Sequence, residues 1–317
     1  MHRIWFILAL AAAAAGQTQK PSSEDSGAVF RADTRLVVCN TAVVDKEGHL
    51  VTNLTQQAFT VYENGVKQTV AAFKREDVPV SIGLVVDNSG SMRERRAQVE
   101  AAALALVKDS NPEDEVFIVN FNDEVYLDNP AGKEFTSDIK EMEEALRRID
   151  SRGGTAMREA IRMSIDWLKK GRRDKKVLVV VTDGNDNSSG ISLDDLVKLA
   201  QQNEVLIYSV GLLVDESHSD ARAARHALET LATATGGETY FPKELAEVDR
   251  IAHLVAHDIR SQYAIEYTPL NTAMDGSFRK IKITVNAPGR PTVRTRSGYY
   301  ATPERQAPPG SPPSNQP

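Results

Sequence analysis

The sequence predicts an α/β protein: a doubly wound, mostly parallel sheet with a flanking β-sandwich formed by the N- and C-terminal segments. Three observations predict it. From Val78 to Ile259 short β-branched runs alternate with helical patterns, as a sheet wound by crossover helices requires. Within that region Lys176 to Thr182 is almost continuous valine, which suits a parallel strand covered on both faces. Before Val78 and after Ser261 the helical patterns stop and only short strand-like runs remain.

Taken in order, residues 1–16 read as an export signal. His2 and Arg3 form a weakly basic start, Ile4 to Ala15 is uncharged and apolar, and Ala13, Ala15 and Gly16 offer a small-residue cleavage point. The apolar run holds 12 residues, and a bilayer span needs about 20, so an exported mature chain without a transmembrane segment is expected, secreted or held in the periplasm or envelope. Residues 17–27 form a polar tether.

Residues 28–77 read as the first half of the sandwich. Leu36 to Val38 and Thr41 to Val44 are β-branched runs, Lys46-Glu47-Gly48 is a turn, and Ala58 to Tyr62 is a further strand. Glu63-Asn64-Gly65 carries a hairpin dipeptide before Val66 to Phe73 returns. Residues 78–260 hold the alternating region. Strands are expected at Val78 to Val86, Val116 to Phe121, Val125 to Leu127, Lys176 to Thr182, Val205 to Val210 and Glu238 to Phe241. Helices are expected at Arg93 to Lys108, Ser137 to Ile149 with Ser137 as N-cap, Thr155 to Lys170, Leu193 to Gln202 capped by Ser192, Ala221 to Thr235 ended by Gly236-Gly237, and Leu245 to Arg260. Residues 261–300 complete the sandwich through Gln262 to Tyr267, Arg279 to Asn286 and Thr292 to Thr295, and residues 301–317 read as a disordered tail.

The composition excludes some functions. At 317 residues, with 41% hydrophobic and 26% charged residues, the chain suits a soluble protein of two domains or one large one. A net charge of -6 without a basic stripe argues against nucleic acid. The cluster Lys169-Lys170-Gly171-Arg172-Arg173 reads as a solvated helix end. Cys39 is the single cysteine, so no intramolecular disulfide forms, and its β-branched surroundings suit a buried, inert thiol.

Chemistry concentrates just past the strand Val78 to Val86. Asp87-Asn88-Ser89-Gly90-Ser91 sets one carboxylate and two hydroxyls at alternate positions, hard oxygen donors of the kind Mg²⁺ prefers. Taken alone the run reads as a turn, since Asp, Asn, Ser and Gly are turn formers. Two later segments change that. Arg152-Gly153-Gly154 leads into Thr155, and Val179-Val180-Val181 leads into Thr182-Asp183-Gly184. Ligands of open α/β sheets bind beyond the carboxyl ends of the strands. Three loops thus bring oxygens to one edge.

The order D-x-S-x-S, G-G-T, T-D-G on an α/β alternation resembles the von Willebrand factor A domain with its metal-ion-dependent adhesion site, over about Val78 to Arg260. The flanks resemble the related exported proteins of Acidobacteria. The resemblance implies that Ser89, Ser91 and Thr155 give hydroxyl oxygens to Mg²⁺, with Mn²⁺ or Ca²⁺ as alternatives, and that Asp87 and Asp183 act directly or through water. It also implies a protein or peptide partner presenting Asp or Glu, and a last helix coupled to binding.

Other readings stand beside this one. Asn88-Ser89-Gly90-Ser91 does not fit the G-x-S-x-G nucleophile turn, and no histidine motif places a base near it. No G-x-G-x-x-G follows the first strand and there is no phosphate-binding Walker loop. His253 and His257 lack the Glu at 254 that a zinc-protease helix needs, so they read as surface or packing residues. The acidic loop 215–220 reads as solvated, with calcium as the alternative, and Asp186 as a rim or loop residue. The expectation is a non-enzymatic, cation-dependent adhesion-type binding protein; the alternative is an envelope assembly scaffold in which the metal fixes the loops.

Overall fold

A computed structural model describes residues 36–303, except 76, 110, 148–150 and 214–216. The expected leader, the tether and the tail beyond 303 lie outside the described residues, as do Ile149 and Asp215.

The first strand, β1 (Val37–Val44), unites the two runs expected around Cys39. It is followed by β2 (Phe59–Glu63), β3 (Val66–Gln68) and β4 (Val70–Lys74). The single strand expected from Val66 to Phe73 is therefore two, because the chain changes sheets at Thr69: β3 pairs with β2, whereas β4 pairs with a strand of the C-terminal flank.

Strand β5 (Val80–Asp87) then begins the alternating region, with β6 (Glu115–Phe121), β7 (Val125–Leu127), β8 (Lys175–Thr182), β9 (Val205–Gly211) and β10 (Thr239–Tyr240). Their order is β10-β9-β8-β5-β6-β7, and every pair is parallel except the edge pair β6 and β7. All eight residues of β5 are buried, as a central strand covered on both faces should be. The winding direction reverses at β5, which has β6 on one side and β8 on the other.

Helices cover both faces. Helices α1 (Arg96–Lys108), α2 (Ile139–Leu146) and α6 (Glu247–Arg260) pack Leu106, Met142 and Val255 against Ile82, Leu84 and Val179. On the other face α3 (Met157–Leu168), α4 (Leu193–Gln202) and α5 (His218–Thr235) pack Ile161, Leu196 and Leu228 against Val85, Phe117 and Val180. Capping chemistry sets the helix starts. Asp138, not Ser137, caps α2 by accepting from the Lys140 N–H, and Ser192 and Ser217 cap α4 and α5. Helix α3 starts two residues after Thr155, which therefore belongs to the loop. Gly236 ends α5 with φ +92°, the left-handed conformation that glycine adopts without penalty.

The C-terminal flank adds β11 (Tyr263–Tyr267), β12 (Phe278–Val285), β13 (Thr292–Arg294) and the unanticipated β14 (Gly298–Tyr300). Two antiparallel four-stranded sheets result, β13-β1-β11-β4 and β14-β12-β2-β3, each mixing strands from both flanks. Their shared core holds Val37, Phe59, Val61, Ile265, Ile281 and Ile283. Buried with them, Cys39 has its thiol pushed up to about 11 by burial, which leaves it inert. The hydroxyls of Tyr267 and Tyr299 both donate to Glu63 Oε2 at 2.8 Å, so a buried N-terminal carboxylate is satisfied by the C-terminal flank.

Polar contacts tie α6 and the sandwich to the central sheet. Lys175 Nζ at the start of β8 donates to the Ile259 carbonyl in the last turn of α6 at 2.5 Å. Arg294 of β13 donates to Glu238 at 2.6 Å and pairs with Asp258 of α6. Gln262 donates to the Tyr208 hydroxyl at 3.0 Å.

Removing one phenolic donor from Glu63 by Tyr267→Phe should destabilise the protein by about 1–3 kcal/mol, the cost of under-satisfying a buried acceptor; urea denaturation measures it. A second prediction concerns Lys175, whose pKa is lowered from 10.5 to about 8 chiefly by burial, against the opposing charge of Asp258. The native state binds fewer protons than the unfolded chain between those two values, so this group makes stability rise with pH across that window. Lys175→Met should flatten the rise in melting temperature measured from about pH 8 to 10.

Candidate metal centre

The end of β5 projects Asp87 into the place where the sheet reverses direction. In register, Asp87 lies beside Phe121 of β6, and Val86 lies beside Val181 of β8. The loop after β5 is anchored on both sides. Asn88 N–H donates to the Phe121 carbonyl at 2.6 Å, and the Asn88 carbonyl accepts from Arg152 N–H at 3.0 Å. Gly90 N–H reaches the Gly153 carbonyl at 3.3 Å, joining the first loop to the second. Gly153 has φ +73°, a left-handed conformation that calls for glycine.

Four of the five expected residues share one chain of hydrogen bonds. Ser89 N–H donates to Asp87 Oδ1 at 2.8 Å. The Ser89 and Ser91 hydroxyls lie 3.1 Å apart, and Ser91 Oγ donates to Asp183 Oδ1 at 2.8 Å. Asp87, Ser89 and Asp183 are buried, and Ser91 is exposed at the rim. Thr155 is buried beside them, but its hydroxyl is not part of this chain. Its backbone is clasped by the third loop instead: Thr155 N–H donates to Asn187 Oδ1 at 2.9 Å, and its carbonyl accepts from the N–H groups of Asn187 and Ser188.

Several contributors are absent from the motif reading. Thr182 Oγ1, itself buried, donates to Asp87 Oδ2 at 2.5 Å. Arg95 pairs with Asp183 through Nη1 and Oδ2. The buried amides of Asn88 and Asn120 meet at 2.7 Å beneath the loop. Asp186, read from sequence as a rim or loop residue, accepts from Arg158 N–H at the start of α3 and from Ser189, which ties the third loop to that helix. Thr182 was visible within T-D-G; nothing local singles out Arg95 or Asn120.

Burial pushes the Asp87 carboxyl up to about 7; hydrogen bonds from Thr182 and Ser89 oppose that shift, and the charge of Asp183 adds to it. Two close carboxylates in a dry setting favour a compensating positive charge. The donors are carboxylate and hydroxyl oxygens with no thiol or imidazole, which fits Mg²⁺ or Mn²⁺ better than softer preferences. Among the described residues no group of three or more His, Cys, Asp or Glu side chains is placed to hold a metal ion by itself, so hydroxyl oxygens would have to complete any ligand set here. His253 lies elsewhere, on the exposed face of α6, paired with Asp109.

Comparison with known proteins identifies the domain. Residues 82–185, from β5 to the loop after Thr182, match the von Willebrand factor type A domain family, and the chain contains such a domain. A Borreliella burgdorferi protein of uncharacterized function is 30% identical over 142 residues, 44% of this chain and 40% of that one. Inter-alpha-trypsin inhibitor heavy chain H4 of Bos taurus is 22% identical over 206 residues, 60% of this chain and 22% of that one. The chain thus spans less than half the length of these relatives. Among solved structures, a von Willebrand factor type A protein from Catenulispora acidiphila superposes with a TM-score of 0.52 at 12% identity, covering 84% of this chain and 72% of that one. Proximal thread matrix protein 1 from the mussel byssus, described with zinc in its MIDAS motif, gives 0.51 at 15% identity over 62% of this chain and 49% of that one. At these identities the structural likeness establishes the fold.

Thr182→Val keeps the shape and removes the donor to Asp87, so it should cost about 1–3 kcal/mol in chemical denaturation, with Thr182→Ser recovering most of the loss.

Proposed function

We propose that this protein is an exported, non-enzymatic binding protein whose A domain presents a divalent cation to an acidic residue of a protein or peptide partner. One observation carries the reading: oxygens from separate loops join in a single bonded chain from Asp87 through Ser89 and Ser91 to Asp183, at the edge where an open α/β sheet receives ligands. In this proposal Ser89, Ser91 and Thr155 offer hydroxyl oxygens to Mg²⁺ or Mn²⁺, while Asp87 and Asp183 hold it directly or through water. The bound ion would supply an electrophile that a partner's carboxylate completes.

The residues argue for holding a ligand rather than transforming it. Among the described residues no histidine is hydrogen-bonded to a member of this bonded chain, and its hydroxyls and carboxylates bond to one another, to Thr182 and to Arg95, an arrangement suited to holding an ion. Among the described residues no helix is long and apolar enough to cross a membrane. The leader at residues 1–16 supports export. We assign residues 78–260 to the A domain and residues 28–77 and 261–300, whose described strands form the two further sheets, to its stem. An assembly scaffold in which the metal only fixes three loops is the competing reading.

Mg²⁺ or Mn²⁺ should raise the melting temperature by mass action, and Asp87→Ala and Thr155→Ala should each abolish that rise while leaving the metal-free melt cooperative. A rise that persists in both variants rejects the assigned ligands. In the same series, pull-down of partners with Mg²⁺ against EDTA separates adhesion, which EDTA abolishes, from scaffolding, which survives it.

A further inference from the structure

Asp183 lies at the meeting point of the site with α1. Its carboxylate is wholly buried and receives two partners: Ser91 Oγ on Oδ1 at 2.8 Å, and the Arg95 guanidinium on Oδ2. Arg95 is the residue immediately before α1, and its side chain is 14% exposed. A cation at a helix N-terminus opposes the helix dipole, and α1 has no acidic residue in its first turn to offset it. The neighbouring arginines have separate partners: Arg96 pairs with Glu100 at 2.7 Å, and Arg93 donates to the Ser151 carbonyl at 3.2 Å. Arg95 therefore stands in an unfavourable place for the helix and a favourable one for Asp183. Its charge is delivered to the carboxylate on which the proposed metal site also depends.

We propose that Arg95 is the built-in competitor of the metal ion, holding Asp183 until a divalent cation displaces it. The proposal rests on the metal-site reading above. Guanidinium and metal ion compete for Asp183, because like charges a few ångströms apart in a buried setting repel. A monovalent ion brings no more charge than the guanidinium it would replace and forfeits a fixed hydrogen bond, whereas a divalent ion brings twice the charge to Asp87 and Asp183 together. Arg95 thereby sets a threshold that selects for double charge, and it lowers metal affinity by the fraction of time it keeps the carboxylate. It also couples the site to α1, since displacement must swing a side chain rooted at the start of that helix.

The experiment is calorimetric titration of Mn²⁺ into the wild-type protein, Arg95→Gln and Arg95→Lys, each folded as judged by a cooperative melt. Removing the competitor should tighten Mn²⁺ binding by about tenfold or more, the factor expected when the competent state is populated a tenth of the time. Arg95→Lys, which keeps the charge without the planar fork, should fall between the two. Equal or weaker binding by Arg95→Gln overturns the proposal and leaves the metal site standing. No binding by either protein at millimolar Mn²⁺ overturns both. Should Arg95→Gln fail to fold, wild-type crystals grown with EDTA and with Mg²⁺ decide. The guanidinium leaving Asp183 when Mg²⁺ is bound supports the competitor, and a guanidinium still on Asp183 beside bound Mg²⁺ rejects it.

Discussion

Everything at the candidate site hangs on one strand paired on both sides. Strand β5 is buried along its whole length and hydrogen-bonded to β6 and β8, so it has no freedom to slide or twist without breaking two ladders. A shift of one residue would carry Val86 and Asp87 to opposite faces, since side chains alternate along a strand. The position of Asp87 is therefore set by the packing of Ile82, Leu84 and Val85 into two helical layers. The hydroxyls and carboxylates then need only short loops, each pinned by backbone bonds to its neighbour. Precision at the rim is inherited from apolar burial beneath it.

That arrangement holds polar groups at high density in a dry place, and each is satisfied by another member. Asp87 is served by Thr182 and the Ser89 amide, and Asp183 by Ser91 and Arg95. Deleting a single member leaves a buried charge or acceptor unserved, which costs more than the bond itself contributes. A second polar cluster sits at the junction of α6 with the sandwich, where Arg294 pairs with Asp258 and Glu238 near Lys175, and here Asp258 Oδ1 and Arg294 Nε are left without a hydrogen-bond partner. The polar clusters at the two ends of the molecule are both built where elements of different layers must stay in register.

Much of this was legible in the chain. Valine-rich runs declared the parallel strands, the Asn64-Gly65 dipeptide marked a hairpin, and Ser192 announced α4. The oxygen-bearing positions were visible because the motif is written in three short local words. What escaped depends on contacts across the fold. Arg95 sits in Arg93-Glu94-Arg95-Arg96, which reads as a wet helix start, and its partner is 88 residues away. The Val66 to Phe73 run looked like one strand because a change of sheet leaves no mark in the alternation pattern. Asp138 displaced Ser137 as a cap because both are good capping residues, and the choice depends on which side chain the preceding turn aims at the helix.

The sandwich has a consequence for how the molecule comes into being. Strand β1 pairs with β11 and β13, and Thr41 bonds Thr295 across 254 residues of chain. Chain closure over such a separation is slow, and folding rates fall as contacts become more distant in sequence. During synthesis the first four strands emerge without partners for β1 or β4, exposing apolar edges that are open to aggregation. They can be completed only after the A domain between them has been made. Folding of the intervening α/β region shortens the loop that the pairing of β1 with β11 and β13 must close, so its compactness lowers the entropic cost of forming the sandwich.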